Sequence, residues 1–97
     1  GVSGSPGVAR GTARIVLDPG DPTALEPGDI LVAPYTDPSW TPLFMTAGAV
    51  VVDVGGQISH AVIVSRELGL PCVVSATGAT EVIPHGDTGW VTVLDVP

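Results

Sequence analysis

The chain has 97 residues, which sets one domain as the expectation, and it carries only three basic residues, Arg10, Arg14 and Arg66, against ten acidic ones, for a net charge of −7. Nucleic-acid binding needs clustered Lys and Arg to neutralise phosphates, so this balance excludes it as a function class, and it argues equally against an anionic membrane surface. Hydrophobic residues make up 44% and charged residues 13%, which rules out a disordered acidic tail.

Val dominates the apolar set, aromatics are few, and 13 Gly and 10 Pro punctuate the whole length. Short strands joined by tight turns are expected from that mixture, not a helical bundle. Residues 1–9 read as a Gly/Ser/Pro-rich opening segment. Thr12 to Leu17 reads as a strand, and Asp18-Pro19-Gly20-Asp21-Pro22 as turn punctuation. Thr23 to Glu26 has room for one helical turn. Pro27-Gly28-Asp29 turns into a second strand, Ile30 to Ala33. Pro34, Pro38 and Pro42 forbid a long helix before residue 42. A short helix is expected over Leu43 to Ala47, with Thr41 as its cap and Pro42 at its first position.

Ala49 to Val54 is a continuous β-branched run of the kind that forms a buried central strand, closed by Gly55-Gly56. Ser59 to Leu68 is the strongest helix signal. Ser59 is an N-cap residue type, Ala61, Val64, Ser65 and Leu68 share a face, Gly69 supplies the left-handed stop and Pro71 forbids continuation. Val73-Val74 is a short strand. Ser75 to Glu81 holds a turn or short helix, Pro84 to Asp87 a turn, and Trp90 to Leu94 alternates as a last strand.

Chemistry concentrates at Val52-Asp53-Val54-Gly55-Gly56-Gln57-Ile58-Ser59-His60. A buried strand ends in two glycines, and a short loop delivers His60 to the first turn of a helix. The glycines permit a sharp turn and close approach of another molecule. A helix N-terminus offers free N–H groups and a partial positive charge, so an anion on the imidazole finds donors without lysines. The same field favours a neutral, nucleophilic ring. Ser59 could cap the helix or bond a phosphate. Arg66, two turns on, could pair with a carboxylate of this domain or meet a partner's phosphate. Asp53 reads either as a partner of the loop backbone or as a plain strand-end carboxylate.

The remaining reactive side chains read blandly. Cys72 cannot form an intrachain disulfide and sits in an apolar run as a small buried hydrophobe. His85 reads as a solvated turn residue, and Trp40 and Trp90 as packing or domain-docking residues. With His60 and His85 the only histidines, no metal-spaced cluster exists and no metal site is expected. There is no P-loop. The opening residues lack the basic and apolar regions of a signal peptide, and no run approaches the ~20 apolar residues of a membrane span. The expected setting is therefore the cytoplasm. A start at Gly1 without Met fits a fragment of a larger multidomain enzyme, as it would a trimmed chain.

The ordered set from Gly55-Gly56 through Ser59-His60-Ala61, Arg66 and Gly69-Leu70-Pro71 to Cys72-Val73-Val74 closely resembles the signature of the phosphoenolpyruvate-utilising enzyme mobile domain. Ser5-Pro6-Gly7 with Gly11 resembles its entry strand, and Gly28 to Val32 and Thr36-Asp37-Pro38 resemble its strand and following loop, so the likeness covers nearly the whole chain. The resemblance implies an α/β fold, a swivelling β/β/α domain of small sheets packed with a few short helices, occupying 1–97 as a single unit. It implies a phosphoryl carrier with His60 phosphorylated on Nε2, supported by Gly55, Gly56, Ser59, Ala61, Arg66 and Thr36. It also implies partners: a nucleotide-binding domain and a phosphoenolpyruvate- or substrate-binding domain, with Mg²⁺ accompanying ATP or phosphoenolpyruvate there and no cofactor in this domain. Alone, the chain is not expected to turn over.

Two departures keep a second reading open. Ile58 stands where many members have Thr, and Gly86 to Val91 looks compressed relative to the family's last hairpin. A non-catalytic interaction or regulatory module that keeps the fold is the alternative. A hydrolase with His60 as general base lacks an accompanying nucleophile or metal site.

Overall fold

The computed structural model describes residues 2–20, 25–54, 60–83 and 85–93. Ten elements follow one another: β1 (Val2–Ser5), β2 (Gly7–Ile15), β3 (Ile30–Ala33), a 3-10 turn (Pro38–Trp40), α1 (Thr41–Thr46), β4 (Ala49–Val52), α2 (His60–Leu68), β5 (Cys72–Val74), α3 (Ala79–Val82) and β6 (Thr88–Val93).

The strands make one six-stranded sheet in the order β1-β5-β4-β3-β2-β6. β2, β3, β4 and β5 run parallel, in register through Ile15↔Val32, Val32↔Val51 and Val51↔Val73. β1 and β6 are antiparallel edges. The expected small sheets are thus joined, and β2 is the joint. Its first part, Gly7 to Thr12, pairs with β6, and its last part, Ala13 to Ile15, pairs with β3. Only Pro6 separates β1 from β2, although three strands lie between them in the sheet. The sheet has to curl for one residue to span that gap.

Both faces of the parallel strands are covered, which explains their unbroken apolar runs. Leu31, Ala33, Val50, Val52, Cys72 and Val74 face α1 and α2, packing with Trp40, Leu43, Phe44, Ala61 and Val62. Ile30, Val32, Ala49 and Val51 face the other way, with Ala79 of α3 and with Ile83 and Val91.

The Gly/Ser/Pro-rich opening segment forms β1 and the start of β2, in line with the entry strand that the family likeness implies, and its partners, Val74 and Val93, lie far along the chain. Several elements differ from the sequence reading. α1 begins earlier, with Trp40 in the capping position and Thr41 already helical. β4 stops at Val52 and β6 runs over Thr88–Val93. The last strand is fully paired to β2 over six residue pairs, Gly7↔Val93 through Thr12↔Thr88. The single turn expected over 23–26 falls largely outside the described residues, as do Leu94 and Pro84. α2 ends as read: Gly69 takes φ +72°, and the Leu70 N–H reaches back to the Ser65 carbonyl at 2.9 Å, which is the Schellman pattern. Among the described residues no helix is long and apolar enough to cross a membrane.

Candidate functional site

His60 is the first residue of α2 and is half-buried. Its ring stands beside the carboxyl ends of the parallel strands, where α/β sheets commonly present ligands. Two backbone bonds hold these ends together: Asp53 N–H donates to the Ala33 carbonyl at 3.0 Å and Val54 N–H to the Pro34 carbonyl at 3.2 Å. The chain leaving β3 is thereby laid alongside the chain leaving β4. Thr36 follows the first, His60 the second.

Both ring nitrogens meet hydroxyls. Thr36 Oγ1 lies 3.2 Å from Nδ1 and Thr41 Oγ1 3.3 Å from Nε2. Phe44, on the same short helix as Thr41, meets the imidazole edge-on with ring centroids 5.4 Å apart. Hydroxyls donate or accept as needed, so either neutral tautomer is satisfied. Neither ring nitrogen is held by a carboxylate among the described residues. The nearest acid in the chain leaving β3 is Asp37, whose carboxylate accepts from both the Ser39 hydroxyl and, at 2.9 Å, the Ser39 N–H. Those two bonds, the hydroxyl first, hold Asp37 below the usual carboxylate range, with a further contribution from the nearby His60. Asp37 caps the 3-10 turn that leads into Thr41.

Of the residues expected to support His60, Thr36 is brought to it. Ala61 points into the core, with its carbonyl 3.8 Å from the Cys72 thiol. Arg66 sits six residues along α2, about 9 Å down the helix axis, and its Nε donates to the Gly4 carbonyl of β1 at 2.8 Å. Gly55, Gly56 and Ser59 lie outside the described residues, as does Ile58. Thr41 and Phe44 were not anticipated. Their i, i+3 spacing on α1 is the available signal, but a threonine directly before Pro42 reads from sequence as a helix cap.

Other residues resolve as well. Asp53 accepts from the Thr80 N–H at 2.9 Å and the Thr80 hydroxyl at 2.5 Å, so it serves α3. His85 is exposed but is not simply solvated: its Nδ1 accepts from the Ile15 N–H at 3.0 Å. Cys72 is fully buried and burial pushes its thiol pKa up. Trp40 is buried, whereas Trp90 is 68% exposed. Among the described residues no group of three or more His, Cys, Asp or Glu side chains is placed to hold a metal ion.

This fold agrees with what related proteins show. A family model described as the mobile domain of PEP-utilising enzymes matches residues 25–94, and the chain belongs to that family. It is 48% identical over 88 residues to a probable phosphoenolpyruvate synthase of Staphylothermus marinus, covering 89% of this chain and 11% of that protein. It is 44% identical over 101 residues to a rifampicin phosphotransferase of Bacillus cereus, covering 97% of this chain and 12% of that protein. The solution structure of an Enzyme I protein superposes with a TM-score of 0.60 at 31% identity, covering 70% of this chain and 28% of that one. The expected swivelling-domain architecture is therefore borne out. The chain spans about a tenth of the length of the two curated relatives named here.

Proposed function

We propose that this domain carries a phosphoryl group on His60 Nε2 between two active sites supplied by other domains. The observation that supports it is the half-buried imidazole at the start of α2, with both nitrogens on hydroxyls and, among the described residues, neither on a carboxylate. A histidine base in a hydrolase is commonly oriented by a carboxylate or set beside a metal, and neither stands at His60 among the described residues. A carrier needs a neutral ring with one nitrogen free to bond phosphorus.

In the loading step the Nε2 lone pair attacks phosphorus, the N–P bond forms, and the donor's P–O bond breaks with its electron pair leaving on the donor oxygen. Nδ1 keeps its proton. In the unloading step an acceptor oxygen attacks phosphorus, the N–P bond breaks and the pair returns to Nε2. The acceptor's proton goes to a base of the acceptor site. One difficult transfer is split into two easier ones. Donor and acceptor sites, with Mg²⁺ bound alongside ATP or phosphoenolpyruvate, belong to neighbouring nucleotide-binding and substrate-binding domains in the cytoplasm. Residues Gly55, Gly56 and Ser59 would offer backbone and hydroxyl donors to the phosphate.

Phosphoramidate, a small donor that needs no partner domain, tests the reading. Acid-labile, alkali-stable phosphate on His60, absent from His60→Ala and retained in His85→Ala, is the expected result. No label at His60, either from phosphoramidate or from the donor domains of the family relatives, would overturn it in favour of an interaction module.

A further inference from the structure

We infer that Thr41 is a positioning residue for His60, acting from α1 on Nε2 while Thr36 acts on Nδ1. The inference rests on the carrier reading only for its kinetic consequence; its geometric content stands without it.

A threonine in the first turn of a helix ordinarily serves the helix itself, either capping a free N–H or bonding back to the carbonyl four residues earlier. α1 contains an example of the second: the Thr46 hydroxyl donates to the Pro42 carbonyl at 3.5 Å. Thr41 does neither. The helix has no side-chain cap, and the Thr41 hydroxyl lies at 3.3 Å from His60 Nε2 instead. One turn on, Phe44 is fully buried and sets its ring against the same imidazole. The two residues are i and i+3, so α1 presents them on one face. The hydroxyl restrains the ring in its plane and the aromatic edge restrains it from the side.

The chemical consequence follows from the hydroxyl's freedom to turn. With Nδ1–H donating to Thr36 Oγ1, Nε2 carries the lone pair, and the Thr41 O–H satisfies it while the site is idle. When phosphorus bonds to Nε2, that O–H re-aims to a phosphoryl oxygen. No bond to Thr41 forms or breaks, and its proton stays on oxygen throughout. Thr36 gives Nδ1–H its acceptor, and Thr41 holds the reacting nitrogen in place before transfer and keeps a donor beside it afterwards.

The test uses the intact chain with isotope-labelled histidine, reading the imidazole nitrogen resonances of the unphosphorylated protein. His85 is the internal reference, since its Nδ1 accepts from Ile15. Thr41→Val should move the Nε2 resonance of His60 and leave its Nδ1 nearly in place. Thr36→Val should shift the ring toward the Nε2–H tautomer, and Thr41→Ser should restore the parent spectrum. Loading from phosphoramidate should slow about fivefold in Thr41→Val, the effect of one hydrogen bond, and recover in Thr41→Ser. An unchanged Nε2 resonance and an unchanged loading rate in a folded Thr41→Val would overturn the inference. If the parent protein takes no phosphate but the resonances respond as stated, the carrier reading fails and the positioning role stands.

Discussion

At the scale of single residues, the imidazole owes its placement to side chains that neighbour it in space and not in sequence. Thr36 is 24 positions away and Thr41 is 19. Asp37 caps the turn that leads into Thr41, and its titration has a signed consequence. Its folded pKa lies below the ordinary carboxylate value, with the Ser39 hydroxyl as the largest cause. The unfolded chain therefore binds the proton first as pH falls. The stability Asp37 contributes is present above the ordinary carboxylate range and is lost as pH drops through the lowered value. Acid unfolding followed by circular dichroism should show a smaller loss over that window in Asp37→Asn than in the parent. An identical loss in both would mean that the Ser39 bonds add nothing to the fold.

At the scale of elements, three short helices do three different jobs. α2 carries the histidine, α1 steadies it, and α3 closes the opposite face of the sheet. α3 begins after Gly78, which makes no side-chain cap; the missing acceptor comes from Asp53, at the end of β4. Removing that carboxylate by Asp53→Ala should cost about 1–2 kcal/mol, the value of a lost cap, read as a lower denaturant midpoint with an unchanged slope. Asp53→Asn should lose less, because an amide oxygen still accepts. Elements with local signals were legible from the chain alone. β3 lies where Gly28-Asp29 and Pro34 bracket it, and α2 stops where Gly69-Leu70-Pro71 must stop it. β1 carries no local signal, since Ser3-Gly4-Ser5 has no β-branched alternation and becomes a strand only by pairing with β5; the family likeness of Ser5-Pro6-Gly7 alone points to a strand there. The role of Thr41 was hidden for the same reason: nothing near it in the chain says that α1 will lie against the start of α2. His60 is marked by local chemistry, a glycine loop feeding a helix start, and its role by the family likeness; Thr36 is reached through that likeness alone.

At the scale of the whole molecule, one turn acts as the pinch point of the curled sheet. The carbonyl of Gly28 lies against both Gly11 of β2 and Gly48, which follows α1. A Cβ built on Gly48 would stand 2.7 Å from that oxygen, and one on Gly11 would also collide with it. Gly48 N–H meanwhile donates to the Asp29 carbonyl at 2.8 Å, so the backbone cannot simply back away. Gly48→Ala should therefore destabilise by about 1–3 kcal/mol, as overpacking does, read as a drop in melting temperature. An equally stable variant would show that the turn yields.

The Arg66 bond to Gly4 joins the helix bearing the imidazole to the first strand of the chain. β6, on the opposite edge, is three strands removed from β4, the strand that feeds α2. The two margins of the molecule are mechanically unequal. A torque applied at β1 reaches the histidine helix directly, through this guanidinium and through Val62 lying against Gly4, whereas the same torque at β6 must first deform the sheet.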